Sequence, residues 1–118
     1  MYDSIEMANM TILADKPLSL LVPPQSKQAD PSKPENDFVG AASEMCLVHN
    51  FLIRGYNSIF LQAPHVKPED YSDFINYSMC WLNLIRSHHD GEERLIFPEI
   101  EKATGDACMQ ENVKQHGM

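Results

Sequence analysis

The sequence predicts an all-α fold, with an irregular N-terminal arm followed by about three helices. Three observations carry this expectation. Apolar residues recur at steps of three and four in two long segments, the period of a helix with one buried stripe. Prolines gather early: Pro17, Pro23, Pro24, Pro31 and Pro34 all precede residue 35, and each fixes φ and removes a backbone donor. Gly105 then stands where a late helix has to stop.

Residues 1–35 form the arm, expected to be extended or disordered. Its apolar patch, Leu18, Leu20, Leu21 and Val22, is a candidate to lie across the helices. At Asn36 the character changes, because Asn36 or Asp37 can cap a helix and no proline intervenes until Pro64. Met45, Val48, Leu52, Tyr56 and Ile59 mark the buried stripe of the first helix. The segment from Ala63 to Pro68 breaks it. Glu69 and Asp70 follow, where acidic side chains favour a helix start. The second helix places Phe74, Ser78, Trp81, Ile85, His88, Glu92 and Leu95 on one stripe, and Pro98 is expected to kink or end it near Phe97. Asp106 is then expected to open the third helix.

The 118 residues provide for a single domain, 36–118, behind the arm. No apolar run approaches the roughly 20 residues that cross a bilayer. The opening residues, with Asp3 and Glu6, lack the charge pattern of a leader, so a cytoplasmic protein is expected. Cys46, Cys80 and Cys108 match neither a disulfide framework nor a zinc knuckle and are expected to be reduced core thiols. A net charge of −8 argues against a nucleic-acid partner.

Ionisable residues interrupt the second stripe. His88 and Glu92 are four apart, so on a helix they project from one face and can share a metal ion. Imidazole with carboxylate suits iron, manganese or zinc better than copper(I). His49 lies among Met45, Leu52 and Ile53, and His116 lies near the end of the sequence. Each has an ordinary reading: a hydrogen-bonded pair for His88 and Glu92, a satisfied core histidine for His49, a solvated residue for His116. A turn near Ile100 with a new helix from Thr104 sets His88 and His116 each roughly 18 Å from that turn, hence level. The earlier connection fits less well, leaving His49 and His88 about 9 Å out of step.

His49, then His88-His89-Asp90-Gly91-Glu92-Glu93-Arg94-Leu95-Ile96-Phe97-Pro98, then Gln115-His116, resembles the hemerythrin-like (HHE cation-binding) domain family over residues 36–118. The H-x-x-x-E-E-x-x-x-F-P string is the most specific part, and the stretch from Glu44 to Pro64 is similar to fungal members. The resemblance implies an up-down helical bundle of the hemerythrin type. It also implies a non-enzymatic protein that binds iron, with dioxygen, nitric oxide or iron handling as its business. It makes His49, His88, Glu92 and His116 metal ligands, with Glu92 as the carboxylate that bridges two irons. His89 and Glu93 have the same spacing, but the distance to Phe97-Pro98 favours His88 and Glu92, leaving His89 and Glu93 as outer groups. Family members carry a further histidine on the third helix, and a fourth helix with a histidine and a carboxylate. The sequence given ends at Gly117-Met118. The expectation is therefore an incomplete di-iron site holding one metal or none, and a groove through which copies could self-associate.

Two other readings stay open. His49, His89-Asp90 and Asp106 superficially match the layout of HD-type metal-dependent phosphohydrolases, although Glu92 and Glu93 would put negative charge where a phosphate must sit. The other is a truncated helical module without a working site.

Overall fold

The computed structural model describes residues 14–24, 32 and 36–117. They belong to two compact units divided between Ile75 and Asn76. The expectation of an extended or disordered chain over the rest of the arm, Pro31 and Pro34 included, lies outside the described residues.

In the first unit, helix α1 spans Asp37–Gln62. Asn36 caps it: its backbone is extended, and its side chain accepts the Phe38 N–H at 2.9 Å. Pro64 ends the helix in a single 3-10 turn, Ala63–His65. A second turn, Pro68–Asp70, leads into helix α2, Tyr71–Gly91.

The apolar stripe the spacing suggested is covered only in part, Met45 and Ile59 being half-buried. Leu52 is buried, but Val48 and Tyr56 are 42% and 37% exposed. The other buried positions are polar, Ser43, Asn50 and Asn57, seven apart and therefore in line along the helix. Asn50 and Asn57 lie against the irregular segment 14–24 and hold it by its backbone. Asn50 accepts the Leu21 N–H at 2.6 Å and donates to the Leu21 carbonyl at 2.8 Å. Asn57 accepts the Leu18 N–H and donates to the carbonyls of Leu18 and Ala14, all within 2.9 Å. Between them Arg54 pairs with Asp15 at 2.7 Å, and that guanidinium holds the Asp15 carboxyl below its usual range. The patch expected to lie across the helices lies against α1 and is held through amides: Leu18, Leu21 and Val22 keep 48%, 44% and 64% of their surface, while Leu20 is half-buried.

In the second unit, α2 does not end at Phe97-Pro98. Its last turn opens into a π turn, Glu92–Ile96, in which the Phe97 N–H reaches back five residues to the Glu92 carbonyl. Helix α3, Phe97–Thr104, follows directly. Pro98 accounts for the widening. It has no N–H, and its ring would strike the carbonyl four residues back in an α-helix; a wider turn moves that carbonyl away. The extra residue also moves the buried stripe. After Glu92 the next covered side chain is Phe97, 8% exposed, while Leu95, predicted on the stripe, is 69% exposed.

Gly105 stops α3 in the left-handed conformation at φ 71°. The next helix, α4, begins at Gln110 and runs to His116, later than the predicted start at Asp106. Its first turn is tied back by Glu101, whose Oε1 accepts the Met109 N–H at 3.0 Å. All three cysteines are free, but Cys80 and Cys108 are exposed rather than in a core. Among the described residues the fold is all-α, with no strand, and no helix is long and apolar enough to cross a membrane.

Three substitutions test these contacts. Asn57→Ala should cost about 2–3 kcal/mol in urea unfolding, because it strips partners from several covered backbone groups. Arg54→Ala, which removes only the exposed ion pair, should cost far less, and equal losses would contradict the amide anchoring. Gly105→Ala should cost about 1 kcal/mol from left-handed strain alone, since nothing lies within 4 Å of the added Cβ.

Candidate metal centre

His88 lies in the last turn of α2 and Glu92 opens the π turn, so the pair meets across one helical turn. His88 Nε2 lies 3.0 Å from Glu92 Oε1. The carboxylate is 3% exposed, and its other oxygen, Oε2, lies 3.2 Å from His116 Nε2. Glu92 therefore sits between two imidazole nitrogens. Chain reversal supplies the second one. Once Glu101 has fixed Met109, the helix from Glu101 back to Glu92 covers about 13 Å and the stretch from Met109 to His116 about 10 Å, which leaves His116 within side-chain reach of Glu92.

The spacing can be tested against a metal. Nitrogen and oxygen ligands bound at about 2.1 Å are separated by about 3.0 Å along an octahedral edge and about 3.4 Å along a tetrahedral one. Both observed separations, 3.0 and 3.2 Å, fall in that interval. The donor set, imidazole nitrogens around a dry carboxylate, suits iron, manganese or zinc. A carboxylate this far from water loses several kcal/mol of hydration unless a cation or donors face it.

The rest of the His116 ring is also engaged. Nδ1 lies 2.9 Å from Glu93 Oε1. His89 stacks on the ring face with centroids 3.7 Å apart and planes 6° from parallel, and Phe97 closes the side at 5.6 Å. Burial lowers the His89 pKa first, and the neighbouring His116 lowers it further, which favours the neutral ring a close stack needs. Asp90, by contrast, is 66% exposed and faces Arg94 at 3.7 Å.

Of the four expected ligands, the structure brings His88, Glu92 and His116 together. His49 lies half-buried on α1 in the first unit. The placement of Glu93 on the far nitrogen of His116, and of His89 on its face, was not legible from spacing. Pro98 inside a helical pattern was the one signal for the π turn that carries Glu92 and Glu93. The sevenfold spacing of Asn50 and Asn57 was the corresponding signal for the amide line.

No protein-family model matches this chain, and no solved structure matches it. The chain is similar to the dimeric xanthone biosynthesis cluster protein R11 of Cryptosporiopsis sp. (strain 8999), with 35% identity over 102 residues. The similarity takes in 85% of this chain and 38% of that protein, so the chain spans well under half the length of its relative.

Proposed function

We propose that this chain is a hemerythrin-like, non-enzymatic metal-binding protein that takes iron, with His88, Glu92, His116 and His49 as its ligands. One observation carries the reading: Glu92, 3% exposed, presents its two oxygens to two imidazole nitrogens at metal-ligand spacing. The sequence string from His88 to Pro98 supports it, and so does the π turn, a widening that recurs at functional sites in helices. These donors would hold a ferrous ion, which would offer a binding position to a small diatomic molecule, dioxygen or nitric oxide. The chain's own residues bind and orient. Glu92 supplies charge, His88 and His116 supply neutral nitrogen, and Phe97 lies against the His116 ring. The three free cysteines suit the reducing cytoplasm, where we place the protein. No observation favours the phosphohydrolase reading, since Asp90 is engaged with Arg94 at the surface. The relative named for a xanthone biosynthesis cluster supplies a context for such a protein and no substrate.

Anaerobic reconstitution with ferrous iron, followed by metal analysis and optical spectra before and after oxygen, tests the proposal. The expected content is about one metal per chain, since three imidazoles and one carboxylate fill one first-row ion with water completing it. Glu92→Gln keeps the shape and removes the charge, so it should abolish most of the binding, while Glu93→Gln should retain most of it. His49→Ala should lower the content as well. Iron at background level in the unaltered protein would sink the proposal. Equal losses from the two glutamate substitutions would undo the assignment of Glu92.

A further inference from the structure

Both nitrogens of His116 face carboxylates: Nε2 faces Glu92 and Nδ1 faces Glu93. A neutral imidazole has a single N–H, so one nitrogen keeps its proton and the other offers a lone pair. The choice decides whether His116 can be a ligand on the Glu92 side. We infer that Glu93 is the positioning residue of this centre, holding the His116 proton on Nδ1 so that the Nε2 lone pair is turned toward Glu92. This inference deepens the metal-binding reading and rests on it.

Two features select Nδ1. The Nδ1 to Glu93 separation, 2.9 Å, falls within the range of about 2.7–2.9 Å for a hydrogen bond to a charged acceptor. The Nε2 to Glu92 separation, 3.2 Å, is the longer of the two and matches the spacing of two atoms sharing an ion. Glu92 is also divided between His88 and His116, whereas Glu93 is directed at the His116 ring.

Exposure assigns the two glutamates different tasks. Glu93 keeps 35% of its side-chain surface and Glu92 keeps 3%. Glu93 therefore keeps contact with water while it faces the ring, and a carboxylate on the outer nitrogen makes an imidazole a better ligand. The parallel His89 ring at 3.7 Å limits rotation of His116 out of this plane. The centre thus uses adjacent glutamates on opposite sides of one ring, one beside the metal position and the other fixing the proton.

Long-range proton–nitrogen NMR of the imidazoles reads the proton directly. Spectra of the 15N-labelled protein at about pH 8, where an ordinary imidazole is neutral, are taken metal-free and with zinc(II) added as a diamagnetic probe. The His116 proton should sit on Nδ1 and exchange slowly with water in both states. Glu93→Ala should lose that protection and weaken zinc binding about 10- to 100-fold. Glu93→Gln should restore most of both, because its amide oxygen accepts the same hydrogen bond; a merely structural glutamate would not produce this pattern. A proton found on Nε2, or protection and zinc affinity unchanged in Glu93→Ala, would overturn the inference. Zinc and iron failing to bind a protein whose Nδ1 proton still depends on Glu93 would sink the metal reading and leave the proton placement standing.

Discussion

Removing a carboxylate from water is tolerable only when a cation or donors face it, and the second unit gathers around Glu92 the nitrogens that could share such a cation with it. One partner comes from the same helix, since His88 is one turn away. The second has to be brought back by the chain. Gly105 turns it, Glu101 fixes the re-entry at Met109, and the short helix α4 delivers His116. The last residue of α4 is the one brought to Glu92, and its ring also packs on His89 and Phe97.

The widened turn is the second constraint, and it has a covalent origin. Pro98 cannot donate to a regular α-helical ladder and would collide with it, so the backbone takes one extra residue before the proline. Two consequences follow from that single residue. The buried stripe jumps from Glu92 to Phe97, which leaves Leu95 in solvent. Glu92 and Glu93 occupy the start of the widened turn, from which they reach the two nitrogens of His116. A proline that reads as a helix breaker acts here as a device that positions carboxylates.

The first unit solves the same problem of buried polarity with neutral groups. Asn50 and Asn57 each pair with both the N–H and the carbonyl of one residue of the 14–24 segment, a contact that reads backbone and ignores side chains. This explains why the segment can be held tightly while Leu18 and Leu21 keep nearly half of their surface. A covered asparagine on a helix is costly alone and inexpensive when an extended chain lies beside it.

By itself the sequence determined what depends on neighbours a few residues apart. The Asn36 cap, the break at Pro64, the left-handed stop at Gly105 and the meeting of His88 with Glu92 are all set within about one helical turn, and each is visible as a residue type at a spacing. The stripe through Phe74, Ser78, Trp81, Ile85 and Glu92 was legible for the same reason, up to the point where the π turn changed the period. Tertiary structure decided what depends on chain return. Which carboxylate meets which nitrogen of His116, the stacking of His89, and the segment that covers Asn50 and Asn57 all join residues about 20 to 40 positions apart, beyond the reach of helical spacing. The loop from Gly105 to Met109 sets that distance. Its path depends on a hydrogen bond from Met109 to Glu101, a contact that exists only once the chain has already turned back.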